Sequence, residues 1–165
     1  MKNNLLVAIS IGLSACGTSN PLLGIVMPEL TPQQVIELRE KINTTIPDNT
    51  LSLARNEAAS NIENFIINFS CARDDAPAKY TRSLIAPNAS INSMLSPRMG
   101  MKYHNPNQCL LPQSIDGWNL PARNALKFKS TFISQSSGET KTVFFEMVKQ
   151  TSGNWLFTKA NPYQF

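Results

Sequence analysis

Few residues in this chain combine a reactive type with a telling position. A general acid or base needs a carboxylate or imidazole whose surroundings move its pKa, usually beside a polar partner in an apolar pocket. Glu146 lies in the apolar run of residues 143–148, Asp116 precedes Gly117-Trp118, and His104, the only histidine, sits in Tyr103-His104-Asn105-Pro106. The plain readings are a solvent-facing strand residue for Glu146, a turn residue for Asp116 and a loop residue for His104. No second His and no Cys stands at metal-ligand spacing from His104. Asp74-Asp75 are adjacent, so their carboxylates do not converge on one point, and Arg73 can neutralise them. The sequence holds no Gly-rich phosphate loop, no Ser-His-Asp ordering and no zinc motif, so neither a cofactor nor a metal is expected. Trp118, Tyr103 and Trp155, with Glu146, are the candidate ligand or partner surface. Tyr80 and Tyr163 are further aromatic candidates, and the competing reading of all these rings is core packing.

The thiols are more informative. Leu13-Ser14-Ala15-Cys16 closes the apolar stretch of residues 5–13 behind Lys2, and Gly17-Thr18-Ser19-Asn20 follows with tether composition. The apolar stretch is shorter than the roughly 20 residues that span a bilayer and suits the hydrophobic region of an export signal. A Leu-x-Ala-Cys ending resembles the lipobox of bacterial lipoprotein signal peptides. That resemblance implies diacylation of the Cys16 thiol, cleavage before it and acylation of the new amine. Residues 1–15 are then a removed signal, 16–30 a lipidated tether and 31–165 one domain. Gly17 is not the Asp that often retains such lipoproteins in the inner membrane, so the inner leaflet of the outer membrane is favoured. At about 0.8 kcal/mol per buried methylene, two or three acyl chains hold a protein stably where one holds it marginally.

After removal of the signal, about 150 residues remain, enough for one domain with a real hydrophobic core. With Cys16 lipidated, Cys71 and Cys109 remain, and an exported chain with two cysteines most simply pairs them. The loop so closed, of roughly 40 residues, is worth about 4 kcal/mol in the chain-entropy description. The alternative, a redox or nucleophilic thiol, lacks a nearby catalytic partner. Charge is uneven: residues 16–70 hold three basic and six acidic side chains, and residues 71–165 hold eleven basic and five acidic. The basic half could meet lipid phosphates, an anionic envelope component or an acidic envelope protein. Its cations are scattered, as on an ordinary solvated face, and no nucleic acid is expected as a partner.

These residues must be positioned by elements that the periodicity defines. Residues 16–30 carry an apolar island at Leu22, Leu23, Ile25, Val26 and Met27, which would pack back on the domain or add to a partner's sheet edge. Thr31-Pro32-Gln33-Gln34 is a helix start with a capping box, and Val35, Leu38, Ile42 and Ile46 recur at helical spacing up to Ile46-Pro47. Asp48, Asn49 or Thr50 can cap a second helix whose apolar face runs Leu51, Ala54, Ala58, Ile62, Phe65, Ile66, Phe69. From Ala72 to about Arg123, six prolines break every long run, so only short elements are expected, near residues 79–86 and 90–95. Leu126, Phe128, Ser130 and Phe132 alternate with polar residues as in a strand. A turn at 136–139, a strand over 140–149, a turn at 151–154 and a strand from Trp155 to Lys159 complete an antiparallel meander. The strand over 140–149 is apolar on both sides and should be covered on both faces, one cover being the second helix.

The predicted fold is α+β: two N-terminal helices packed on a C-terminal curved antiparallel sheet, cone-like in shape. The ending Gly153-Asn154-Trp155-Leu156-Phe157 resembles the nuclear transport factor 2 like class, over roughly residues 49–160, with the Pro-rich middle as the departure. The resemblance implies a bent sheet wrapped round a helix. That class holds both isomerases and dehydratases with an acid or His inside the cone, and non-enzymatic docking parts, some in bacterial secretion systems. Two functions are therefore expected as alternatives. One is a membrane-anchored, periplasm-facing docking module for another cell-envelope component, without enzymatic activity. The other is an enzyme or small-ligand carrier using the cone interior, with Glu146 or Asp116 as its polar group.

Overall fold

Thr31 opens the first helix as its sequence requires. In the computed structural model, which describes residues 28–72, 81–89 and 94–162, the Thr31 hydroxyl accepts from the Gln34 amide while Gln34 Oε1 accepts from the Thr31 amide. Helix α1 spans Pro32–Ile42, four residues short of the expected end. Asn43-Thr44-Thr45 stops it, because short polar and β-branched side chains compete with helical hydrogen bonds. The Thr44 hydroxyl turns back onto the Lys41 carbonyl at 3.0 Å.

Helix α2, Asn49–Cys71, is capped by Asp48, whose carboxylate accepts from the amides of Thr50 and Leu51. Ala54, Ala58, Ile62, Phe65, Ile66 and Phe69 form its buried face, as the periodicity predicts. Arg55 is also buried, and its guanidinium donates to the Thr44 carbonyl, tying the α1–α2 connection to the helix. A salt bridge from Arg39 to Glu63 joins the two helices across their exposed side.

The sheet has four antiparallel strands in the order of the chain: β1 (Leu111–Ala122), β2 (Ala125–Ile133), β3 (Thr140–Lys149) and β4 (Trp155–Asn161). It is open, with β1 and β4 as its edges. The last three strands match the expected meander, and two helices on an antiparallel sheet match the expected α+β class. Strand β1 corrects the expectation of short pieces before Arg123, and it removes Asp116 from a turn. Pro112 and Pro121 are tolerated there because an edge strand has one side free of ladder bonds. Register shifts after Pro112, Asp116 and Asn119 let the strand bend around the core. Gly117, with φ of 67°, occupies the second shift, in a left-handed conformation that side chains resist.

One face of the sheet packs on α2. Phe65 stacks on Phe157 with ring centroids 3.8 Å apart, Phe128 stacks on Phe145 at 4.9 Å, and Phe69 meets Phe145 and Phe132 edge-on or tilted. Phe144, Glu146 and Val148 on the other side of β3 are only half-buried, so the expected second cover is absent among the described residues. Short links from the Pro-rich middle seal the β4 edge. A 3₁₀ turn at Arg82–Leu84 leads to a bridge between Ile85 and Phe157, and Met94 bridges Ala160.

Candidate functional site

The predicted site residues are dispersed. Cys16, the expected signal, the expected tether up to residue 27, Asp74, Asp75, Tyr80 and Tyr163 lie outside the described residues. Trp155 is 1 % exposed, so its ring belongs to the core, and its indole Nε1 donates to Glu57 Oε2 at 3.1 Å. Lys149 Nζ shares that carboxylate at 2.7 Å. These two hydrogen bonds hold the Glu57 carboxyl below the usual carboxylate range. Asn61 completes the clamp between α2 and β4 by donating to the Trp155 carbonyl. Trp118 stacks on Phe128 at the margin of the same core.

Glu146 faces outward on β3, opposite Lys127, whose Nζ is 2.9 Å from Oε1. Asp116 pairs with Lys129 at 3.2 Å on the same face. Both carboxylates therefore sit on the far side of the sheet from the aromatic interior, in the exposed cross-strand pairs that alternation predicts. Tyr103 is at the opposite end of the sheet from Trp155, since the β2–β3 turn lies at one end and the β3–β4 turn at the other. The four candidate surface residues do not share a surface.

Cys71 and Cys109 are joined by a disulfide, with their Cα atoms 4.2 Å apart. The pair is buried with Leu30, and Val35, Ile67 and Leu111 pack around it. The amide of Leu110 donates to the Ser70 carbonyl beside it. The C-terminal end of α2, the segment entering α1 and the start of β1 thus meet at one point.

A dense polar cluster lies at the same end of the sheet, where Leu111 at the start of β1 pairs with Ile133 at the end of β2. It joins the loop of residues 96–109 to the β2–β3 turn, and sequence reading located it only through His104. The ring Nδ1 of His104 is 2.9 Å from Ser134 Oγ, which in turn lies 3.1 Å from Ser136 Oγ and accepts from the Ser137 amide. Glu139 accepts from the amides of Lys102 and Tyr103 at 2.8 and 2.9 Å and from the Ser137 hydroxyl. The Asn105 amide donates to Ser136. Arg98 braces the loop from within, donating to the carbonyls of Pro106 and Gln108.

Burial, then the nearby Arg98 charge, holds the His104 ring below the usual imidazole range, against Gln108 and Glu139, which favour the charged form. Hydrogen bonds from Ser137 and the Tyr103 amide hold the Glu139 carboxyl low. A serine hydroxyl bonded to an imidazole is the arrangement of an activated nucleophile. Ser134 is 0 % exposed, however, and its hydroxyl is spent on loop contacts, so here the pair works as a latch. The signal in sequence is the predicted turn at 136–139 together with Ser134 just before it, whose hydroxyls serve the loop as well as the turn.

An open groove runs between α1 and the sheet, lined by Gln34, Glu37 and Lys41 on the helix and by Leu111, Pro112 and Ile133 on the strands. Among the described residues no group of three or more His, Cys, Asp or Glu side chains could hold a metal, and no helix is long and apolar enough to cross a membrane. Comparisons with family models, with curated proteins and with solved structures give no match.

Proposed function

We propose that the protein is a lipid-anchored, periplasm-facing module that docks another cell-envelope component and carries out no reaction of its own. The observation that supports this reading best is the filling of the space between α2 and the sheet. The stacked and edge-on rings of Phe65, Phe69, Phe128, Phe145 and Phe157 occupy the place where a cone-shaped enzyme would hold substrate. Glu146 and Asp116, the carboxylates on which the enzyme or carrier reading relied, lie on the opposite face in ion pairs. The groove beside α1 offers an outer surface of mixed polarity, compatible with a docking face.

The Cys71–Cys109 disulfide suits an oxidising compartment. With the Leu13-Ser14-Ala15-Cys16 ending it favours export followed by lipidation at Cys16, and Gly17 favours the inner leaflet of the outer membrane. The likeness of Gly153-Asn154-Trp155-Leu156-Phe157 to the nuclear transport factor 2 like class enters this proposal only as analogy, since a fold does not fix an activity. In cells fed labelled palmitate, the intact chain should take up label and fractionate with membranes, and Cys16→Ser should lose both. Crosslinking in intact cells followed by mass spectrometry should recover a fixed envelope partner. Equal labelling of Cys16→Ser would reject the anchor, and turnover of an envelope substrate by the purified protein would reject the docking role.

A further inference from the structure

We infer that the loop of residues 98–103 is a contact surface for anionic lipid headgroups, placed at the end of the domain where the N-terminal tether enters. This rests on the lipid-anchor reading above for its orientation, though the surface chemistry stands on its own. Tyr103 is 69 % and Met99 46 % exposed, which makes them two of the most exposed large apolar side chains among the described residues. Lys102 is exposed between them, with its Nζ 5.4 Å from the centre of the Tyr103 ring. Lys141 Nζ lies alongside, 3.9 Å from where a Cβ on Gly100 would stand.

An exposed tyrosine, a pliable, exposed methionine and the exposed ammonium group of Lys102 on one loop have the composition of the bilayer interface. There amphipathic rings settle at headgroup level and each basic side chain near an anionic surface adds attraction. The loop is anchored on both sides. Glu139 fixes the amides of Lys102 and Tyr103, and Arg98 fixes the far side of the loop through two carbonyls. The Glu139 carboxylate is thus engaged by backbone N–H groups of the loop, while the Lys102 side chain remains exposed.

Position supplies the second argument. The irregular segment that carries the loop runs on to Cys109, which packs with Leu30, the residue just before the Thr31 cap of α1 and part of the first described stretch, which begins at residue 28. A chain fastened through Cys16 would therefore present this end of the domain, with its loop, toward the lipid.

The test uses the full chain carrying Tyr103→Trp, with the parent chain as reference because Trp155 is buried and Trp118 is packed on Phe128. On vesicles of phosphatidylethanolamine with phosphatidylglycerol, the emission of residue 103 should shift to the blue and be quenched by brominated lipid. On phosphatidylcholine vesicles it should do neither, and added salt should reverse the shift. Introducing Lys102→Ala should lower the ratio of contacting to free loop about fivefold, the effect of one cation near an anionic surface. Unchanged emission while the chain co-sediments with anionic vesicles, or equal shifts on neutral ones, would overturn the proposal and leave the loop to a protein partner. Failure to sediment with any vesicle would overturn it too. Sedimentation of Cys16→Ser reads the anchor separately: if that variant is held as firmly as the parent, the anchor reading fails while the loop reading is still decided by emission.

Discussion

His104 and Ser134, thirty residues apart in sequence, meet through a 2.9 Å contact between ring Nδ1 and hydroxyl. That contact fastens the longest irregular segment of the described chain to the β2–β3 turn. Its strength depends on a neutral, half-buried ring beside Arg98, and this makes the loop sensitive to pH.

Because the folded ring is held below its unfolded value, the unfolded state binds more protons between the two values. The stability from the neutral ring is complete above about pH 6.5 and is lost as pH falls below it. Denaturant unfolding between about pH 7 and pH 5.5 should show this slope, and His104→Gln should flatten it. Glu57 and Glu139 are depressed carboxyls whose contribution is present above the ordinary carboxylate value and is lost only at lower pH. An identical slope in His104→Gln would reject the role of the ring.

The disulfide links segments separated by 38 residues. Replacing Cys71 and Cys109 together by serine should destabilise the fold by about 4 kcal/mol, within a usual span of roughly 2–5. The melting temperature should drop by about 10 °C, to be read by circular dichroism. A fall within error would mean that the helix and strand ends are held without it.

Interior and outer face should respond very differently to substitution. Phe65 is fully buried and touches Phe69, Phe145 and Phe157, so Phe65→Ala should cost about 3–5 kcal/mol. Glu146 is 34 % exposed in a surface pair with Lys127, and Glu146→Gln should change stability by less than about 1 kcal/mol. Urea titration of both variants checks the contrast. A large loss in Glu146→Gln would mean that this carboxylate does more than pair across the strands.

Gly117 takes φ of 67° where β1 shifts register, and an added Cβ would stand 3.3 Å from the Lys129 side chain. Gly117→Ala should therefore cost about 1–2 kcal/mol, mainly through backbone strain, because the lysine can move aside. If it is neutral in thermal melts, the strand relaxes around the bulge.

The helices and the last three strands were legible because their signals are local. The Thr31 capping box, the Asp48 cap and the apolar faces of α2 and β2 need no distant residue to be interpreted. Strand β1 was hidden because Pro112, Gly117 and Pro121 contradict a strand unless it lies on an edge and is bulged, which only the sheet order reveals. The end of α1 was misjudged because Ile46 keeps the helical spacing while Thr44 breaks the helix before it. His104 was visible as a lone histidine, but its partners lie thirty or more residues on, in a turn whose serines carry no sequence mark of that pairing. Trp155 and Trp118 suit either core or surface by sequence alone; Trp155 is buried at the start of β4, and Trp118 lies half-buried at the core margin, stacked on Phe128.

Both lateral margins of the sheet are closed to recruitment of a stranger's strand: Ile85 and Met94 already occupy positions along β4, and prolines and shifts of register interrupt β1. Concentrated solutions of the folded chain should accordingly resist fibril growth by ribbon-to-ribbon stacking. Neighbours in the crowded setting of a cell would have to approach through helices, loops or the outer face of the sheet instead.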